Sequence, residues 1–120
     1  MKIDLNALAA QVRVEVETYE VPERHPDLVG SALLPEWFEK GLAEMKAALV
    51  EPYWVEMRDY ASVPGEVLTR QVAVVADEGH EILVAFDPAP DGDFVLTWRS
   101  PEQVEFYNVH GDAVGCFLAR

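Results

Sequence analysis

Leu5, Leu8, Val12, Val16 and Tyr19 recur at three- and four-residue spacing, which lays them along one face of a helix, with Asp4 or Asn6 in front as an N-cap. The same stretch also alternates Val12, Val14 and Val16 with Arg13, Glu15 and Glu17, a strand pattern in a β-branched residue. The expectation is a helix over about residues 5–19. Whether residues 12–21 are helix or strand decides how many strands the sheet holds. Pro22 and Pro26 mark residues 21–30 as a connecting loop, because the residue before a proline is pushed out of helical geometry. A second helix follows from Pro35, whose missing N–H costs nothing in a first turn. Phe38, Leu42, Met45 and Leu49 form its apolar stripe, Gly41 weakens it by about 1 kcal/mol, and Pro52 ends it.

The period then changes from helical to two. Residues 53–60 read as a first strand and 61–65 as a turn, followed by short strands at about 66–76, 81–87, 93–99, 103–109 and 113–119. Asp77-Glu78-Gly79-His80, the segment from Asp87 to Asp93, Ser100-Pro101-Glu102 and His110-Gly111-Asp112 supply the Gly, Pro and Asp that hairpin loops need. Strands joined by such short loops pair antiparallel. Ile82 to Phe86 is apolar on both faces, as in a central strand. Phe94, Leu96 and Trp98 alternate with Val95, Thr97 and Arg99 as one buried and one wetter face, which assigns Phe94 and Trp98 to the core. The predicted fold class is α+β: two N-terminal helices packed on one face of a five- or six-stranded, mostly antiparallel meander sheet. At the level of element order alone, this is similar to cone-shaped ligand-binding domains and to the immunity-type proteins of bacterial toxin systems.

Composition adds a domain count and an electrostatic character. A chain of 120 residues, half of them apolar, builds one core and one domain. Its 22 acidic residues against 9 basic ones give a formal charge of −13. The first sixty residues carry −6 and the second sixty −7, so the whole body is acidic rather than a tail. Such a field disfavours nucleic acid and anionic membrane and favours a basic protein partner. Cys116 is the only cysteine, so no intrachain disulfide forms, and it reads as a buried inert thiol in the last strand. The N-terminal residues lack the apolar core of a signal peptide, which points to the cytoplasm.

A meander places alternate loops at opposite ends of the sheet, which gathers Asp77, Glu78, His80 and Glu102 at one end and Asp87, Asp91, Asp93, His110 and Asp112 at the other. Asp87, Asp91, Gly92 and Asp93 occupy positions of a calcium loop. Ala89 and Trp98 stand where that loop needs its third ligand and closing glutamate, so no metal is assigned, and no motif calls for a cofactor. Ser31, Ser62 and Ser100 lack a nucleophile elbow, His80 and His110 fall at opposite ends, and catalysis is not the favoured reading. Between Arg70 and Arg99 there are six acids and no base, so two neighbouring hairpins repel themselves.

The favoured expectation is a small binding module of the inhibitor, immunity-type or adaptor kind that recognises a basic partner. Asp77, Glu78, Asp87, Asp91 and Asp93 would steer it, and Trp54 and Tyr60, which share a face of the first strand with Glu56 and Arg58, would anchor it. The alternative is a small-molecule-binding or hydrolytic domain with its pocket between helices and sheet and a desolvated carboxylate or imidazole inside. A third is a homodimer through a sheet edge, since an open meander leaves two edges and residues 113–119 carry no charge.

Overall fold

Helical phase decides the N-terminal segment. The computed structural model describes residues 3–21, 35–88, 92–101 and 103–120, and in it helix α1 spans Leu5–Thr18. The Asp4 carboxylate accepts the N–H groups of Asn6 and Ala7, which caps the first turn. Leu8, Val12 and Val16 are buried while Val14 is 56% exposed, so the three valines that a strand would put on one face are split by the helix. Most of the loop expected over residues 21–30 lies outside the described residues. Helix α2, Pro35–Ala48, buries Gly41, Met45 and Ala48.

The helix ends earlier than Pro52 suggests, because Leu49 opens strand β1, Leu49–Asp59, without a loop. Pro52 lies inside that strand. It sits where pairing with β2 slips from Leu49 opposite Ala76 to Tyr53 opposite Val74, and a missing N–H is tolerated at such an irregularity.

Strands β2 (Leu68–Asp77), β3 (Ile82–Asp87), β4 (Asp93–Arg99) and β5 (Val104–Gly111) follow as antiparallel neighbours. Gly79 and Gly92 take φ of +84° and +80°, a conformation that glycine adopts without strain. Two expectations are corrected. The sheet does not remain open: β5 lies parallel to β1, pairing Val104 with Met57 and Glu105 with Arg58, and five strands close into a barrel. Residues 113–119 are not a strand, since Ala113–Leu118 form helix α3, so the helices are not all N-terminal. The cause is local. Asp112 caps this helix through the Gly115 N–H, and the Glu15 carboxylate from α1 accepts the N–H groups of Ala113 and Val114.

Closure gives the sheet an inside as well as a helix-covered outside. Leu8, Val12 and Val16 of α1, Met45 and Ala48 of α2 and Ala113, Val114, Cys116 and Phe117 of α3 pack on Ala73, Val75, Val84, Phe94 and Leu96. The barrel interior is a second core of Met57, Val72, Val74, Leu83, Ala85 and Val95. The wetter face expected for β4 is therefore absent at Val95 and Thr97, which are 3% and 0% exposed. Trp98, assigned to the core from its alternation with Phe94 and Leu96, is 41% exposed and lies outside the helix-covered cluster that holds those two residues. The pairing of β1 with β5 also joins the two edges that an open meander would leave.

Two substitutions separate these assignments. Met57→Ala, emptying a fully buried barrel position, lowers stability by about 2–5 kcal/mol, while Val14→Ala on the exposed face of α1 changes it by less than about 0.5 kcal/mol, both read from urea denaturation.

Candidate functional site

One end of the barrel must place charged residues on inward-facing positions. Asp59 ends β1 and Asp87 ends β3, and they are 0% and 3% exposed. Arg70 on β2 lies between them. Its Nε donates to Asp87 Oδ2 at 2.7 Å and its Nη1 to Asp59 Oδ2 at 3.0 Å, so one guanidinium ties the ends of three strands. Asp59 also accepts the backbone N–H groups of Ala61 and Ser62, each at 2.9 Å, and the Ser62 hydroxyl at 2.5 Å. Burial by itself would raise the Asp59 pKa, but the hydrogen bonds from Ser62, Ala61 and Arg70 outweigh it and hold the carboxyl down at about 2.

Above this ionic floor lies a pocket of about 400 Å³, lined by Ser62, Leu68, Arg70, Asp87, Asp93, Val95, Phe106 and His110. Asp93 and His110 form its rim, with His110 Nδ1 at 2.9 Å from Asp93 Oδ2. The register of β4 with β5 slips between these positions: Thr97 faces Phe106 and Val95 faces His110, with Asn108 between them at φ +59°. That bulge sets the spacing between Phe106 and His110, both of which line the pocket. The sequence reading groups Asp87, Asp93 and His110 at one end, and the structure brings these three together. Asp112 instead caps α3, and Asp91 lies outside the described residues. Arg70, Asp59 and Phe106 were missed as members. The available signal was the period of two along β1, β2 and β5, which closure converts into a shared interior.

The opposite end holds Asp77, Glu78 and His80, while Glu102 lies outside the described residues. Arg99 makes a bidentate pair with Asp77, at 2.9 and 3.1 Å, and donates to the His80 carbonyl. Burial opposes ionisation of Asp77, but the Arg99 hydrogen bonds win and lower its pKa. Arg120 bonds Glu78 and Glu44 together and holds the Glu78 carboxyl below its ordinary range. The self-repulsion expected between Arg70 and Arg99 is thus offset: Asp77, Glu78, Asp87 and Asp93 meet Arg99, Arg120, Arg70 and His110.

Trp54 and Tyr60 sit where the alternation of β1 puts them, on the barrel's outer face, 41% and 48% exposed. Tyr107 of β5, 50% exposed, stacks on Trp98 with ring centroids 6.1 Å apart. Arg58 donates to Gln103 Oε1 at 2.8 Å, and the Gln103 amide reaches Tyr60 and Glu105, which knits β1 to β5 across this face.

Between helices and sheet, where the alternative reading expects a ligand pocket, the described residues pack as the core above, and a pocket of about 270 Å³ lined by Glu44, Ala47, Ala48, Asp77 and Glu78 lies where α2 meets the end of β2. Burial, with Asp93, Asp112 and Glu15 nearby, pushes the Cys116 thiol up to about 12, and its Sγ contacts the Phe94 carbonyl at 3.4 Å, which makes it no nucleophile. Among the described residues, no group of three or more His, Cys, Asp or Glu side chains is arranged to hold a metal, and no helix is long and apolar enough to cross a membrane. Comparison with protein-family models, curated proteins and solved structures finds no match.

Because the folded-state pKa of Asp59 is depressed, its contribution to stability is full above the unfolded-state value near 3.8 and is lost as pH falls toward about 2. Asp59→Asn therefore flattens the stability profile across that window in acid-unfolding curves. Arg70→Ala leaves two buried carboxylates without their cation, costs up to about 3–5 kcal/mol at neutral pH, and costs less as acid protonates them. Iodoacetamide at pH 8 labels Cys116 only on unfolding, which mass spectrometry along a urea series checks.

Proposed function

We propose that the protein is a protein-binding module that recognises a basic partner through the exposed aromatic patch that β1, β4 and β5 carry on the outer face of the barrel, in an inhibitor, immunity-type or adaptor role. The observation that carries this reading is the set of four exposed aromatic side chains on that face: Trp54, Tyr60, Trp98 and Tyr107. A folded domain leaves large rings uncovered in one region at a cost in hydration, and such rings interleaved with charge have the composition of interface anchors within a polar rim.

The charge on and around the face supports a basic partner. Glu56 and Glu105 accompany Arg58 there, on a chain of net charge −13. With Asp77, Glu78 and Asp87 already paired to arginines, their part is to shape the long-range field, and close contacts fall to Glu56, Arg58, Glu105 and the rings. The Gln103 hydrogen bonds hold Arg58, Tyr60 and Glu105 in place before any partner arrives, which lowers the entropy lost on binding. A single cysteine and no disulfide suit a reducing compartment such as the cytoplasm.

The test is affinity capture from the source cells, followed by affinity measurement with the identified protein. The expected partner is basic, its association slows as salt rises, and Trp98→Ala or Tyr107→Ala each weakens it by about 2 kcal/mol, roughly thirty-fold in Kd. A partner held equally well by the Trp54→Ala/Tyr107→Ala double variant would overturn the reading.

A further inference from the structure

The barrel mouth is a separate feature from the aromatic patch, and its chemistry points to a different kind of ligand. Its walls are apolar, from Leu68, Val95 and Phe106, and its floor and rim are ionic. The floor holds two carboxylates against one guanidinium, and Asp93 adds a third carboxylate at the rim. Of the side chains that line the pocket, two are carboxylates, Asp87 and Asp93, against the one guanidinium of Arg70. Arg70 is committed to Asp59 and Asp87, so the floor offers no uncompensated positive charge to an anion.

Size is the second constraint. About 400 Å³ falls within the range of small-molecule sites and holds a short alkyl chain with a polar head. A cation there gains from the carboxylates beside the apolar walls, and its alkyl stem gains from burial against Leu68, Val95 and Phe106. We infer that the pocket formed by Leu68, Asp87, Asp93, Val95, Phe106 and His110 binds a small organic cation, an alkylguanidinium or alkylammonium group on a short apolar stem. The group comes either from a free metabolite of that class or from an arginine or lysine side chain of a docked protein. The two sources share one recognition chemistry: carboxylates at the head and apolar wall along the stem.

The experiment titrates butylguanidinium, butylammonium and the uncharged isostere butylurea into the ¹⁵N-labelled full chain and follows amide shifts by NMR. The expected result is saturable binding of both cations with Kd on the order of 1 mM or tighter, as for a well-seated fragment. Shifts concentrate at Asp93, Val95, Phe106 and His110, and butylurea binds at least about ten-fold more weakly. Asp93→Asn, at a half-exposed rim position outside the Arg70 network, weakens the cations about ten-fold with the spectrum otherwise preserved. Asp77→Asn at the opposite end of the barrel leaves them unchanged. Absence of saturation, equal binding of butylurea, shifts elsewhere on the barrel, or indifference to Asp93→Asn would each overturn the inference.

A second arm distinguishes the sources. Butylguanidinium that displaces a protein partner identifies a partner's side chain as the occupant, and a partner that stays bound beside it identifies a free ligand. Since the first arm uses no partner, the mouth site and the aromatic patch stand or fall separately.

Discussion

Everything at the barrel's polar end depends on Arg70 standing between Asp59 and Asp87. Closing five strands into a ring forces alternate residues of each strand inward, and at this end those positions carry carboxylates. Two buried anions side by side would drive the strand ends apart. One guanidinium, planar and permanently charged, satisfies both with separate nitrogens and so fixes how β1, β2 and β3 meet. The hydrogen bonds from Ala61 and Ser62 complete the shell of Asp59 and fold the chain away from the strand in the same stroke. The shape of the mouth, and of the pocket above it, follows from this arrangement.

Charge is organised similarly elsewhere. A segment that looks uncompensated along the chain is compensated in space, because bases at its two ends and at the C-terminal helix fold onto its acids. Arg120 lies 3.7 Å over the Phe117 ring while it bonds Glu44 of α2 and Glu78 after β2, so it joins α2, α3 and the β2–β3 turn. The net negative charge that remains is carried by residues outside these pairs.

Much of this fold was legible in the sequence where a period was long enough to be unambiguous. The three- and four-residue recurrence in α1, the apolar run of β3, the alternation in β4 and the glycine of the Asp77–His80 turn each identify an element by local physics. Closure of the barrel was not legible, because the parallel contact of β1 with β5 rests on two residue pairs and has no local signature. The last helix was misread because six residues, Ala-Val-Gly-Cys-Phe-Leu, are too few to distinguish periods, and one of its caps comes from Glu15, nearly a hundred residues away. The candidate site was half legible: turn positions pointed to Asp87, Asp93 and His110, while Asp59, Arg70 and Phe106 join only once the ring closes. Trp98 was misplaced for a related reason, since alternation fixes a side of the strand but not which of its positions are covered.

The distribution of the tryptophans carries a spectroscopic consequence. Trp37, Trp54 and Trp98 are 42%, 41% and 41% exposed, and no tryptophan lies in either core. Indole emission from the native protein therefore starts close to its solvated wavelength and moves little when the chain unfolds. Two of the three indoles, Trp54 and Trp98, stand in the exposed aromatic patch, so the same emission shifts to the blue when that patch is covered. The protein's intrinsic fluorescence is thus nearly silent about folding and responsive to occupancy.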